Sequence, residues 1–278
     1  MSKRFEKIIN LMDSAMESED SWRKTWKANP RLHCNLVTKH VYTGTNQLTT
    51  MISAWQNGYK SPYWLTAKQI INLGGNFKGQ TATPAIFYGK GKEKDDPEKQ
   101  YKFMKVYNLF NLEQTGITLP EPELRSTRLE NPYEMGEALQ LTTLEDSQYN
   151  PSYMPLTDTI KICPPGQFNS DDEHQSAYYH ECGHATGHKK RLDRDLTGKF
   201  GDEDYAKEEF VAELCAVFLC AELGVTYDLK NHASYLRSWQ KAIKSDPKYL
   251  FTAATDAKNA FEYCMSQFQL MRKYEKAA

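Results

Sequence analysis

The chain has 278 residues, with 35 Lys and Arg against 36 Asp and Glu and a net charge of −1. That length fits one or two domains and can bury a sizeable core. Only 40% of residues are hydrophobic and no apolar run approaches the ~20 residues of a bilayer span, which excludes a helical membrane protein.

The near-neutral balance hides two halves of opposite sign. Residues 1–120 hold 17 Lys and Arg against 10 Asp and Glu, a balance of +7. Residues 121–278 hold 18 against 26, a balance of −8. The change falls at Leu119-Pro120-Glu121-Pro122-Glu123. Proline and charge there indicate a linker over 119–132, between domains of residues 1–118 and 133–278.

The first half reads as α+β. Met1–Lys7 leads into an amphipathic helix over Phe5–Glu19 rather than a signal peptide, so a cytoplasmic protein is expected. Six cysteines without a C-x-x-C pair fit reduced thiols in that compartment. Strands are expected near Tyr42 and over 85–88 and 103–110. A helix is expected over 66–73, capped by Thr66 and ended by Gly74-Gly75. Positive charge mixes here with aromatic rings, most densely in Trp22-Arg23-Lys24-Thr25-Trp26-Lys27. Lysines neutralise phosphates and flat rings stack on unpaired bases, which suits single-stranded DNA better than duplex. Trp22, Lys24, Trp26, Lys27, Tyr42 and Trp64 are therefore candidate contacts.

The second half carries the sharpest signal. Residues 157–163 alternate and end in Pro164-Pro165-Gly166, which reads as a strand closed by a turn. Such a strand is expected at a sheet edge, free to pair with an extended substrate. A helix follows from Ser170 through His180-Glu181-Cys182-Gly183-His184. Residues i and i+4 share a helix face, so His180 and His184 can reach one metal ion and Glu181 a water beside it. Cys182 points away from both histidines.

A catalytic zinc needs a third protein ligand. The helical stretch Tyr205–Leu214 offers Glu209 and Glu213, one turn apart. Glu209 is assigned to the metal and Glu213 to a supporting role behind an imidazole, although the two can be exchanged. Glu208 reads as a solvated surface charge. With zinc bound, Glu181 acts as the general base. Tyr178, Tyr179, His188, His232 and Tyr235 are the candidates for stabilising an oxyanion, and nothing in the sequence chooses among them. Zinc is the expected ion, with manganese or cobalt also compatible with two imidazoles and a carboxylate.

Several motifs in order resemble the ArdC-type antirestriction proteins of conjugative plasmids. They are Tyr42-Thr43-Gly44-Thr45-Asn46, 63–69, Leu73-Gly74-Gly75, Lys78-Gly79 and 106–111 in the first half. In the second they are 180–188, Arg191-Leu192-Asp193-Arg194, 205–214, 232–236 with Trp239, and 253–257. The resemblance implies an α+β single-stranded-DNA-binding domain, then a mainly helical zincin-like metallopeptidase domain with a small sheet. It adds Asn46, Lys68 and Lys78 to the expected DNA contacts. It implies His180, His184 and Glu209 as metal ligands, Glu181 as base, and protection of incoming DNA from host restriction. Two other functions fit the same residues. One is an active zinc protease that cleaves DNA-associated proteins. The other is a non-catalytic, zinc-stabilised DNA-binding protein.

Overall fold

A computed structural model of the chain describes residues 3–17, 31–92, 100–118, 128–198, 202–227 and 233–275. The fold is α+β and comprises two compact units, one of Met1–Ser14 with His33–Pro122 and one of Ala15–Leu32 with Glu123–Ala278.

In the first unit, helix α1 (Lys3–Ala15) precedes strand β1 (Cys34–Asn35), helix α2 (Thr45–Asn57) and strand β2 (Tyr63–Leu65). Helix α3 (Ala67–Asn72) and the long strands β3 (Thr83–Lys92) and β4 (Gln100–Asn111) complete it. The sheet order is β1-β2-β4-β3, with β1 parallel to β2 and the other pairs antiparallel. Near Tyr42 there is only an isolated bridge from Val41 to Cys34, not the expected strand.

Helix α2 ends on a left-handed glycine, Gly58, but lacks a side-chain signal at its start. Its N-cap is Gly44, with no side-chain cap. The hydroxyls of Thr49 and Thr50 instead donate back to the Asn46 carbonyl, 3.2 and 2.9 Å away. Burial of Leu48, Met51, Ile52 and Ala54 holds the helix in place. Helix α3 has the expected capping box: Thr66 accepts from Gln69 N–H while the Gln69 side chain accepts from Thr66 N–H at 2.8 Å.

In the second unit, short helix α4 (Glu134–Ala138) leads into strands β5 (Thr142–Glu145), β6 (Ser152–Met154) and β7 (Thr159–Ile162). Helices α5 (Asp171–Ala185), α6 (Glu203–Leu223), α7 (Ala233–Ser245) and α8 (Lys248–Glu275) follow. The sheet order is β5-β7-β6. The strand expected at the edge, β7, is therefore the centre, and β6 forms one edge. Its sequence explains this: Thr159, Ile160 and Ile162 are all buried, so both faces are covered.

Helix α6 is apolar on nearly every side from Phe210 to Leu223 and forms the core of this unit. Phe210 packs 4.8 Å from Trp239 of α7 and stacks on Tyr249 of α8. Full burial of such a ring stabilises the fold by about 1.5–3 kcal/mol. No helix among the described residues is long and apolar enough to cross a membrane.

Candidate functional site

Helix α5 starts where Ser170 accepts a hydrogen bond from Glu173 N–H, with Asp171, Asp172 and Glu173 in its first turn. Those acids complement the positive end of the helix dipole. Three turns on, His180 and His184 face α6. Gly183 lies between them at the helix crossing, where an added Cβ would sit 3.0 Å from the Ala212 Cα and 3.1 Å from its carbonyl oxygen. The glycine thus lets the α6 backbone come within reach of both imidazoles.

At that approach Glu209 places one carboxylate oxygen 3.5 Å from His180 Nε2 and the other 3.5 Å from His184 Nε2. The two imidazole rings stand edge to face with centroids 4.8 Å apart. One donor atom from each of His180, His184 and Glu209 lies within 4.8 Å of the others. Bonds of ~2.1 Å in a tetrahedron set donors about 3.4 Å apart, so these residues fit a divalent metal ion.

Each histidine is also held from behind. His180 Nδ1 lies 3.7 Å from a carboxylate oxygen of Glu213, whose side chain is fully buried. That carboxylate also pairs with the buried Tyr227 hydroxyl. His184 Nδ1 lies 3.3 Å from Glu208. The reading of Glu208 as a solvated charge is therefore corrected. Its carboxylate accepts two hydrogen bonds from Arg194, at 2.9 and 2.7 Å, and its side chain is only 11% exposed. Arg194 also donates to the Gly183 carbonyl and to Thr186, so one guanidinium joins the end of α5 to α6.

The electrostatics follow from this cage. Burial lowers the proton affinity of His184, but hydrogen bonds to Glu208 and Glu209 outweigh it and raise its pKa to about 9. Burial opposes charge on Glu209, yet the two histidines hold its carboxyl well below the usual range. Glu181 is 6% exposed, and its pKa is raised by burial, partly offset by the neighbouring imidazoles. It accepts a backbone hydrogen bond from Tyr153 on the edge strand β6.

A second buried contact fixes that edge. Arg191 donates at 2.9 and 2.7 Å to Asp158 in the β6–β7 turn, and Tyr153 donates its hydroxyl to the same oxygen. Asp158 has φ 53, so the turn uses a left-handed residue held by its own side chain. Tyr178 and Tyr179 are removed as oxyanion donors. Both are fully buried, and Tyr178 bonds Thr143 at 2.7 Å. His188 Nδ1 accepts from Lys190 N–H. His232 and the Tyr235 side chain lie outside the described residues. Cys182 is buried beside Cys215, away from the donor cluster.

The expected DNA contacts fare differently. Trp22, Lys24, Trp26 and Lys27 lie outside the described residues. Trp64 is fully buried and donates its indole N–H to His33 Nδ1 at 3.0 Å. Tyr42 is 3% exposed in the same core cluster. Neither ring offers a face to a base, so both are corrected to core residues. Asn46 gives its amide to β3, donating to the Ile86 carbonyl and accepting from Ile86 N–H, each at 2.7 Å. It is corrected from a DNA contact to a structural one. Lys68 and Lys78 are exposed.

Comparison with known proteins places both halves. Residues 2–110 match the N-terminal domain of anti-restriction factor ArdC, and residues 136–256 match a zincin-like metallopeptidase, MPTase-PolyVal. The chain is 31% identical to DNA primase TraC of Escherichia coli, over 95% of this chain and 20% of the primase. A second Escherichia coli TraC is 33% identical over 92% of this chain and 26% of that protein. The chain thus spans only a fifth to a quarter of these relatives. An uncharacterized protein of Sinorhizobium fredii, y4eC, is 29% identical over 95% of this chain and 92% of its own. The metal-free crystal structure of antirestriction ArdC protein from R388 plasmid superposes with a TM-score of 0.77 at 29% identity, covering 94% of this chain and 97% of that one. The Mn(II)-bound structure gives 0.78 at 28%, covering 95% and 97%. The chain belongs to the ArdC-type antirestriction proteins, with an ArdC N-terminal domain followed by a zincin-like metallopeptidase domain.

Proposed function

We propose that this protein protects incoming DNA of a mobile element from host restriction by binding it as single strand through the first unit. The second unit carries a divalent-metal peptidase centre, with zinc the expected ion. The observation that supports this is the joining on one chain of an ArdC N-terminal domain to a buried His180–His184–Glu209 cluster with Glu181 beside it. Manganese fits the same donors, and it is the ion named for the R388 protein.

When bound, the ion supplies Lewis acidity and acidifies a water. The protein's own residues do the rest. His180, His184 and Glu209 hold the ion, while Glu208 and Glu213 fix each imidazole so that Nε2 faces it. Glu181, buried and with a raised pKa, accepts a proton and delivers it to a leaving amine. The edge strand β6 offers its backbone to an extended peptide.

The test is transfer of unmodified plasmid DNA into restricting and non-restricting recipients. The protein should raise transfer into the restricting recipient only, and Glu181→Gln should protect as well as the wild type. Absence of protection by the wild type contradicts the antirestriction reading. Protection by the wild type alone makes peptide hydrolysis the protective step and favours the active protease.

A further inference from the structure

We infer that the outer part of the β3–β4 ribbon is a stacking platform for single-stranded DNA, with Phe87, Phe103 and Tyr101 as its rings and Lys105 as a phosphate contact. This rests on the single-strand reading of the first unit and gives it a site. Directly paired residues of an antiparallel ribbon share a face. The pairs Phe87↔Lys105, Gly89↔Phe103 and Gly91↔Tyr101 therefore line one face in succession.

The two glycines shape that face. A Cβ at Gly89 would lie 2.4 Å from the Phe103 ring, and one at Gly91 would lie 2.5 Å from the Tyr101 ring. Each ring thus lies down across its glycine. Phe87 is 53% exposed and Tyr101 49%, an unusual cost for a surface with no partner.

Spacing and charge select the partner. The Phe87 and Phe103 centroids are 6.1 Å apart, and so are those of Phe103 and Tyr101. That exceeds the ~3.4 Å rise per nucleotide of a duplex strand. Successive bases can meet successive rings only when the strand is stretched and its bases are unstacked, which duplex forbids. Lys105 Nζ lies 5.1 Å over the Phe103 ring, and this exposed, flexible side chain can swing to a phosphate as a base takes its place. On the ring face of β3 and β4 the one charged residue is Lys105, and neither strand contains an aspartate or glutamate. A cation beside exposed rings, with no carboxylate on either strand, suits a phosphodiester chain better than a lipid tail.

The experiment measures binding of the full chain to a labelled oligothymidylate by fluorescence anisotropy across a salt series, with a duplex as control. Phe103→Leu with Tyr101→Leu should weaken single-strand binding ~5-fold or more per ring, and Phe103→Tyr should restore it. Lys105→Ala should reduce the salt slope by about one. Gly89→Ala leaves every ring in the chain but displaces Phe103, and should also weaken binding. Equal affinity and slope in all variants, with the wild type binding normally, overturns the placement alone. A parallel loss of duplex binding contradicts single-strand stacking. Failure of the wild type to bind single strands removes the reading beneath it.

Discussion

At the residue scale, Glu208 and Arg194 are the lesson of the site. Sequence periodicity puts Glu208 about 100° around the helix from Glu209, and an acid there beside an assigned ligand reads as solvated. The loop after α5 covers it instead, and only tertiary structure brings Arg194 to its carboxylate. Glu208→Gln should weaken metal affinity about 10- to 100-fold, read by calorimetric titration, because His184 loses its charged partner. Wild-type affinity in that variant would show that His184 is oriented without it.

The raised pKa of His184 has a definite sign. A histidine must lose its proton to ligate, so metal uptake near pH 7 should release protons, and affinity should climb with pH until about 9. Calorimetry in buffers of different ionisation enthalpy reads the release directly, and no release contradicts the cage. In protein stripped of metal the same group stabilises the fold fully below about pH 6.5. That contribution is lost as pH rises through about 9.

At the element scale, helices α5 and α6 are legible because both have clear signals. One has an acidic first turn after Ser170, and the other has an almost continuous apolar run. Helix α2 is not legible, since Gly44 caps nothing and its threonines suit a strand as well. The place of β7 in the sheet was also hidden: a period-two pattern identifies a strand but not its neighbours. Gly183 couples the two site helices. Gly183→Ala should cost about 1–3 kcal/mol by forcing the α6 backbone back, and should weaken metal binding with it. Denaturant unfolding and metal titration would measure both. A variant with wild-type stability would show that the crossing has slack.

At the scale of the whole molecule, motif order identified the two domains, while aromatic composition misassigned Trp64 and Tyr42, which are core residues. Trp64 and Tyr42 are the natural candidates on composition, yet rings serve a core and a stacking surface equally well. Here His33, Ala85 and Leu109 claim them for the interior. The matched motifs around Asn46, Thr66 and Asn111 similarly build the frame, through a backbone-mimicking amide and two capping boxes. Because the candidate metal donors all belong to the second unit, metal should stabilise that unit selectively. At about 100 times its Kd the ion should add ~2.7 kcal/mol. Hydrogen exchange should slow in α5 and α6 and stay unchanged in β3 and β4.

The most direct measurement is anomalous diffraction from crystals of the intact chain grown with zinc or manganese. One peak is expected within bonding distance of His180 Nε2, His184 Nε2 and a Glu209 carboxylate oxygen, with Glu181 adjacent but not ligating. A peak elsewhere, or none with those three side chains in place, would contradict the metal centre on which the account rests.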